Sequence, residues 1–523
     1  MPEQLPLHQG CSYADLICRA IQRWPDRTVL IDAEGGVSYG ELGGRIARMV
    51  AAFAAAGLKR GDSLAQISSN RVDALVISSA ALMAGVRYSP LHPLGSLEDQ
   101  TFILEDAAIT ALVADVPAFA GRGRDLAAAG AGLEQVFTLG PADFGTDILA
   151  LAADQNEAPL EPVAEAGDVA WLAYTGGTTG RSKGVLLPHR SMVFNALITL
   201  AEWQWPREIR LLTATPITHA AGAMIVPVML RGGTTVMLPG FEPEGFLAAL
   251  AEHRITATFL VPTMVYVLLD HPALKQTDIS NLEMIIYGAA PMSPTRLVEA
   301  MEVFGPIFTQ LYAQTEAPNT VTCLRMEDHD PARPERLASC GSPLAGIQVA
   351  ILDDDDNEVA VGEPGEICVR GPLVMDGYWQ RPEETAATLR NGWLHTGDMA
   401  KRDQDNFYYI VDRAKDMIIS GGFNVFPREI EDVLTSHAEV AMAAVIGVPD
   451  EKWGEAVKAI IVPRPGTNPS ADELIALVRD AKGPVYAPKT VEFADDLPVT
   501  PLGKPDKKAI RAAYWGDSER QVH

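Results

Sequence analysis

Between Tyr174 and Gly184 the chain reads Tyr-Thr-Gly-Gly-Thr-Thr-Gly-Arg-Ser-Lys-Gly. Four glycines, three threonines and one lysine in this stretch form a set that can hold an anion. Glycines let successive backbone N–H groups converge on one oxygen-rich group, and hydroxyls with an ammonium complete a phosphate cradle. The order is not that of a Walker loop, in which Gly-Lys-Ser/Thr runs into a helix; here Lys183 precedes Gly184 and no N-cap pattern follows. The bland alternative is a Gly/Thr-rich hairpin turn, but the spacing is far more specific than such a turn needs. Two carboxylates further on could work beside it. Glu316, at the end of Leu311-Tyr-Ala-Gln-Thr-Glu316, could hold Mg²⁺ against phosphate oxygens, with Tyr312 stacking on a base. Asp398, just after a glycine in Trp393-Leu-His-Thr-Gly-Asp398, could accept hydrogen bonds from both hydroxyls of a ribose. A surface turn is the structural alternative for each.

The elements that must position these residues can be read from apolar patterning. Val169 to Tyr174 and Val185 to Leu187 flank the glycine stretch as strands. The first third alternates helical and strand patterns: Tyr39 to Leu58 as helix, Ser63 to Ser68 as strand, Asp73 to Met83 as buried helix, Ala111 to Ala114 as strand. The alternation repeats downstream with strands at Leu211 to Thr215, Thr234 to Leu238, Ala257 to Val261 and Met284 to Tyr287. Helices are expected between them at Met224 to Leu230, Pro243 to His253 and Thr263 to Leu269. That order implies an α/β fold with mostly parallel sheet. After about Gly341 the pattern changes to antiparallel strands at Gln348 to Leu352, Gly365 to Arg370 and Phe407 to Val411, with Asp353 to Asp356 as a solvated hairpin turn. Ile418-Ile-Ser-Gly-Gly422 opens a last segment of the size of a small domain. The expected boundary lies at Asp412 to Asp416, and there is no repeat or low-complexity tract.

Composition narrows the function classes. A chain of 523 residues is too long for one ordinary core. With 42 basic and 68 acidic residues the net charge is −26, which disfavours nucleic acid and anionic membrane as bulk partners. An anionic substrate therefore needs a locally basic site. The five cysteines (Cys11, Cys18, Cys323, Cys340, Cys368) show no metal-type spacing and fit reduced thiols in a cytoplasmic enzyme. No secretory signal is expected, and the apolar run Ala74 to Val86, broken by Ser78 and Ser79, is too short to span a bilayer.

With six further stretches in matching order, the glycine segment resembles the phosphate loop of the adenylate-forming superfamily: acyl-CoA synthetases, luciferases and peptide-synthetase adenylation domains. The usual loop, Tyr-Thr-Ser-Gly-Thr-Thr-Gly-x-Pro-Lys-Gly, is altered here at Gly176 and Ser182. The resemblance implies that Thr175, Gly177, Thr178, Thr179, Gly180 and Lys183 hold the phosphates of ATP, and that Thr315 contacts the α-phosphate. It implies adenine stacking by Tyr312, Mg²⁺ binding by Glu316 and ribose binding by Asp398 and Arg413. Ala313 replaces the glycine common after the tyrosine. Gly288-Ala-Ala-Pro291 resembles the stretch that lines the adenine and acyl pockets, through Gly288, Ala289 and Ala290. Pro216-Ile-Thr-His-Ala-Ala-Gly222 places His219 at the acyl pocket, although a buried structural histidine is the alternative. Lys504 in Pro498-Val-Thr-Pro-Leu-Gly-Lys504 matches the catalytic lysine, and Lys415 matches the hinge. Gly421 and Gly422 would form a narrow passage for a thiol arm. Trp453 and Lys489 are the CoA candidates, Lys489 being what is left of a stretch that usually carries two lysines. Glu429 and Glu431 open a helix, where acidic residues suit the dipole.

The fold implied is a large N-terminal domain (1–412) with two mostly parallel α/β sheet subdomains plus a small β-barrel-like part. A small mobile α+β C-terminal domain (413–523) would follow, hinged near Lys415. The activity implied is activation of a carboxylic acid with ATP and Mg²⁺ to an acyl-adenylate, then transfer to CoA. The acyl pocket is expected to include His219, Ala220, Met224, Val261, Ala289, Leu311 and Asn319, which suggests an apolar, roomy site for an aromatic or medium-chain acid. Amino acids are disfavoured because Thr218-His-Ala-Ala-Gly222 carries no acid to pair with an ammonium. Loading of a carrier protein, a luciferase-like oxygenase and a non-catalytic nucleotide-binding regulator are the alternatives; keeping Lys504, Glu316 and Asp398 together argues against the last. Homodimers are common among such enzymes.

Overall fold

The computed structural model describes residues 10–130, 132–175, 182–413, 416–420, 423–450, 453–499 and 505–515, with Arg413 and Asn424 as backbone only. Among the described residues two large sheets share one hydrophobic core. The first has nine strands, with parallel neighbours Thr28–Asp32, Thr234–Met237, Arg210–Thr213, Ala257–Leu260, Met284–Gly288 and Phe308–Gln314 in that spatial order. The second has seven, with Thr146–Asp147, Gln135–Thr138, Ala111–Ala114, Ser63–Ile67, Arg87–Pro90 and Val169–Tyr174 all parallel. Strands such as Ala111–Ala114 and Met284–Gly288 are buried at every residue, as parallel strands covered on both faces must be.

Helices that are apolar all round have no solvent face to offer and must be enclosed. Val72–Met83 and Ala220–Leu230 are of this kind, and both belong to the core that joins Leu64 and Val113 of one sheet to Leu211 and Ile286 of the other. The second helix starts one turn earlier than its apolar pattern suggests, at Ala220 rather than Met224. Small residues carry little pattern, but Gly222 explains the early start: a Cβ there would lie 1.8 Å from the Ile217 carbonyl oxygen. Only glycine lets the helix turn back so tightly over the preceding loop.

The glycine-rich stretch joins Val169–Tyr174 to Gly184–Pro188, and these two strands pair antiparallel. It is therefore the tip of a hairpin at the edge of an otherwise parallel sheet. The expected barrel-like part is a five-stranded antiparallel sheet of Gln348–Leu352, Gly365–Arg370, Trp393–Arg402, Leu389–Arg390 and Tyr408–Arg413. A separate small C-terminal domain follows. Its sheet contains Ile418–Ser420, Phe423–Val425, Val440–Asp450, Gly454–Pro463 and Thr490–Phe493. Its own core includes Val425, Ile430, Leu434, Val457 and Leu474. Among the described residues no helix is long and apolar enough to cross a membrane.

Candidate active site

Parallel strands deliver functional residues at their C-terminal ends, where loops leave the sheet. Register brings three neighbours level here: Leu260 lies opposite Tyr287, and Gly288 opposite Leu311. Val261, Gly288, Ala289, Ala290, Leu311 and Tyr312 are thereby gathered at one edge. A Cβ on Gly288 would sit 2.6 Å from the Leu311 carbonyl oxygen, so the two strands close only around glycine. Ala289 follows at φ +65°, the left-handed region that an alanine rarely enters, with an exposed side chain. The turn after Phe308–Gln314 carries Thr315 and Glu316 at the same edge.

Asp398 is the centre of the polar side of the site. Its Oδ2 accepts from the Tyr312 hydroxyl at 2.7 Å and from Gln314 Nε2 at 2.7 Å, while Gln314 also donates to the Thr396 carbonyl at 2.8 Å. Asp398 is only 5 % exposed, and burial together with its carboxylate holds the Tyr312 phenol well above its ordinary pKa. Tyr312 is thus a fixed donor, with its hydroxyl spent on Asp398 and its ring left for any stacking. The turn that carries Asp398 is anchored from below: Gly397 N donates to Glu366 Oε1 at 2.7 Å and Thr396 Oγ1 to the Ile367 carbonyl at 2.6 Å. His395 Nδ1 meets Glu366 Oε2 at 2.7 Å and Cys368 Sγ at 3.4 Å. Asp398 also pairs in register with Arg413, whose side chain lies outside the described residues.

A second knot forms around Glu316. The Tyr378 hydroxyl donates to Glu316 Oε1 at 2.8 Å, and Met375 N donates to the Glu316 carbonyl at 2.8 Å. Tyr378 is also bridged to Val185, next to the end of the glycine-rich hairpin. Lys183 Nζ lies 4.9 Å from the centre of the Tyr378 ring and 2.6 Å from Glu384 Oε2. At the hairpin base Thr175 N donates to the Lys183 carbonyl at 3.1 Å, and Thr175 Oγ1 accepts from Lys183 N at 3.3 Å. Gly177, Thr178, Thr179 and Gly180 lie outside the described residues, as do Lys415, Gly421, Gly422 and Lys504.

The apolar side is built differently. His219 precedes the helix Ala220–Leu230, with Nδ1 2.9 Å from Thr218 Oγ1. Its ring meets that of His92 edge to face, with centres 4.5 Å apart. Burial lowers His219 to about 3 and His92 to about 4, so both rings are neutral near pH 7. Asn319, buried at φ +62°, reaches the Ala220 carbonyl at 3.5 Å. Met224 is buried one turn along the same helix. In the small domain, Lys489 Nζ lies 5.8 Å from the ring centre of Trp453, which is 40 % exposed.

Gln314, Tyr378, Glu384 and His92 escaped the reading of the sequence. Gln314 sat inside a motif already singled out and could have been found as the polar residue two places from Tyr312. Tyr378 and His92 come from distant segments, and nothing local in the sequence ties them to Glu316 or His219.

Comparison with known proteins agrees with this geometry. The family model for AMP-binding enzymes matches residues 17–379, and that for the AMP-binding enzyme C-terminal domain matches 429–504. The chain is 45% identical to the medium/long-chain-fatty-acid–CoA ligase FadD8 of Mycobacterium tuberculosis, over 99% of this chain and 92% of the relative. It is 37% identical to a feruloyl-CoA synthase of Amycolatopsis sp, over 94% and 96%. Among solved structures, the amide bond synthetase McbA from Marinactinospora thermotolerans superimposes with a TM-score of 0.89 at 34% identity, covering 96% of this chain and 100% of that one. A match across most of the length, with both domains in order, places the chain in the AMP-binding enzyme family, the adenylate-forming enzymes.

Proposed function

We propose that this enzyme is an AMP-forming acid–CoA ligase that takes an apolar aromatic or medium-chain carboxylic acid. The carrying observation is the pair of polar knots, Tyr312–Asp398–Gln314 and Glu316–Tyr378–Lys183, set at one edge beside the glycine-rich hairpin. A carboxylate is a poor acyl donor because its leaving group would be oxide. Attack of the carboxylate oxygen on the α-phosphorus of ATP expels pyrophosphate and makes AMP the leaving group. The CoA thiol then attacks the acyl carbon, and AMP departs with the C–O bonding electrons.

Two anions must meet in the first step, so the site has to supply positive charge and fixed orientation. Lys183 and the hairpin would take the β- and γ-phosphates, Thr315 the α-phosphate, Asp398 and Arg413 the ribose, and Tyr312 with Gly288, Ala289 and Ala290 the adenine. Glu316 Oε2 has no partner among the described residues while Oε1 is held by Tyr378, a carboxylate well suited to an oxygen-seeking cation. Mg²⁺ bound there would offset phosphate charge. Lys504 would stabilise the developing charge at the α-phosphate. His219, Ala220, Met224, Val261, Ala289, Leu311 and Asn319 would wall the acyl group. The small domain, from 413 onward, would turn about Lys415 to carry Lys504 away and bring Gly421, Gly422, Trp453 and Lys489 to the thiol substrate. The exposed Trp453 with Lys489 beside it suits the base and phosphates of CoA and favours CoA over a carrier protein. Free cysteines, four of them buried, suit a cytoplasmic enzyme working on small molecules, and a homodimer is the assembly we propose.

The test is pyrophosphate release and AMP formation from Mg·ATP across a panel of carboxylic acids, with and without CoA. CoA-dependent multiple turnover with one acid class is expected. Turnover that stops near one adenylate per enzyme, indifferent to CoA, would move the acceptor to a carrier protein or an amine.

A further inference from the structure

Lys183 is the ammonium that the proposed function turns toward the β- and γ-phosphates, yet it is already paired. Its Nζ lies 2.6 Å from Glu384 Oε2. The pair joins two segments far apart in the chain, and each segment is fixed. On one side the Lys183 backbone closes the hairpin base against Thr175. On the other, Glu384 stands in the first turn of the helix Pro382–Thr388. That helix is fastened to the stretch before it: Tyr378 N donates to Thr385 Oγ1 at 2.9 Å, and Thr385 Oγ1 donates to the Arg381 carbonyl at 2.8 Å. The same Tyr378 holds Glu316 through its hydroxyl. The carboxylate facing Lys183 and the carboxylate suited to Mg²⁺ are therefore set by one frame.

Glu384 also has a second place to go. Its Oε1 lies 3.8 Å from Arg381 Nε, and Arg381 is itself anchored by Asp106 at 2.9 Å. A small turn of one side chain passes the carboxylate from Lys183 to Arg381 without stranding it. Lys183 and Glu384 are 38% and 42% exposed, so the pair is weak and yields to a stronger anion. A triphosphate carries more charge than one carboxylate and displaces it. Once pyrophosphate has been expelled, the carboxylate competes for the ammonium again and favours departure. We propose that Glu384 is a competing anion for Lys183, one that loosens the hold on the β- and γ-phosphates and so hastens release of pyrophosphate at some expense in ATP affinity. This rests on the placing of the phosphates in the proposed function. It adds a positioning residue that acts through Lys183 and not on the reacting atoms.

The experiment measures binding to the full-length enzyme by calorimetry, in Mg²⁺, for an unreactive ATP analogue, pyrophosphate and AMP. Glu384→Gln keeps the length of the side chain and removes its charge. It should tighten the ATP analogue and pyrophosphate by roughly two- to fivefold and leave AMP, which lacks both outer phosphates, unchanged. Glu384→Ala should do the same, because the charge is what competes. The difference from wild type should shrink as salt is raised, since exposed charges are screened. A merely structural role would move AMP together with ATP and would not depend on salt. Equal or weaker binding of the ATP analogue by both variants, or an equal shift for AMP, overturns the assignment. Acid-dependent ATP–pyrophosphate exchange tests the ligase reading separately. Tightened phosphate binding without exchange in the wild type would sink the ligase reading alone; exchange with unshifted affinities would sink the Glu384 proposal alone; neither would sink both.

Discussion

The two sides of the site solve different problems with different materials. On the nucleotide side, Tyr312 and Gln314 converge on one carboxylate oxygen of Asp398, and Tyr378 ties Glu316 to the strand that leaves the glycine-rich hairpin. These are charge-assisted hydrogen bonds within a buried network, where each member holds the next. On the acyl side the material is Gly222, Ala220, two neutral imidazoles and one long contact from Asn319. Shape does the work there. ATP is the constant reactant of such chemistry and can be met by a pre-satisfied network. The acid varies, and a wall of small residues can be remodelled without disturbing that network.

If the contrast is real, the largest effect should come from the nucleotide side. Asp398→Ala would leave the Tyr312 hydroxyl and Gln314 amide as buried donors and remove the group expected to hold ribose. Hydrogen bonds to a charged group are worth about 1.5–3 kcal/mol each, so acid-dependent ATP–pyrophosphate exchange should fall by roughly 10²- to 10³-fold. The loss should be the same for every acid that the enzyme accepts. Exchange within a few-fold of wild type would mean that the knot is structural decoration, and the comparison would break.

Tyr378→Phe sharpens the same side. It deletes one hydroxyl from a buried phenol and leaves the ring beneath Lys183 in place. Glu316 then loses the donor that orients it, and the magnesium concentration giving half-maximal nucleotide binding should rise roughly tenfold. Binding measured with a fluorescent ATP analogue reads this without turnover. An unchanged magnesium requirement would show that Glu316 is oriented by the backbone alone.

Gly222→Ala probes the acyl side, and its effect should be selective. The added methyl would collide with the Ile217 carbonyl, and the first turn of Ala220–Leu230 has to shift. Overpacking of this kind costs about 1–3 kcal/mol, visible as a lowered urea midpoint. Affinity for ATP should stay near wild type while KM for the acid rises several-fold. Parallel losses in both would mean that the two sides are one mechanical unit.

The same contrast governs what could be read from the sequence. Residues that act within one segment were legible: Tyr312, Thr315 and Glu316 share a strand and its turn, and the glycine-rich stretch was legible as a loop between two strands from the apolar residues on either side, although not that those strands pair with each other. Alternating strands and helices gave the parallel sheets, because buried strands such as Met284–Gly288 are apolar without interruption. Partners that meet only after folding were not legible. Tyr378 is 62 residues from Glu316, and nothing in Gly377-Tyr378-Trp379 announces a carboxylate. His92 and His219 lie on segments that follow strands of different sheets, and lone histidines carry no spacing signal. The start of Ala220–Leu230 was missed because Ala-Ala-Gly-Ala has no apolar period; its helix is fixed by the close pass over Ile217.

The smallest expected effect is on pH dependence. Burial lowers His219 to about 3 and His92, His189 and His329 to about 4. In the unfolded chain each returns to about 6.5. Between those limits the unfolded state binds protons that the folded state refuses, so stability rises with pH across the window. The stabilisation from these rings is therefore present above about pH 6.5, is lost as pH falls toward 4, and changes no further once the folded rings are protonated. Each contributes a slope of at most about 1.4 kcal/mol per pH unit. His219→Phe keeps a ring of similar bulk against His92 and removes one titrating group. Urea midpoints measured from pH 7 to 4.5 should fall for both proteins, with the variant falling less steeply by up to one proton's share. A His219→Phe slope equal to wild type would show that solvent reaches the imidazole pair, and the acyl wall would then be open where the nucleotide knot is closed.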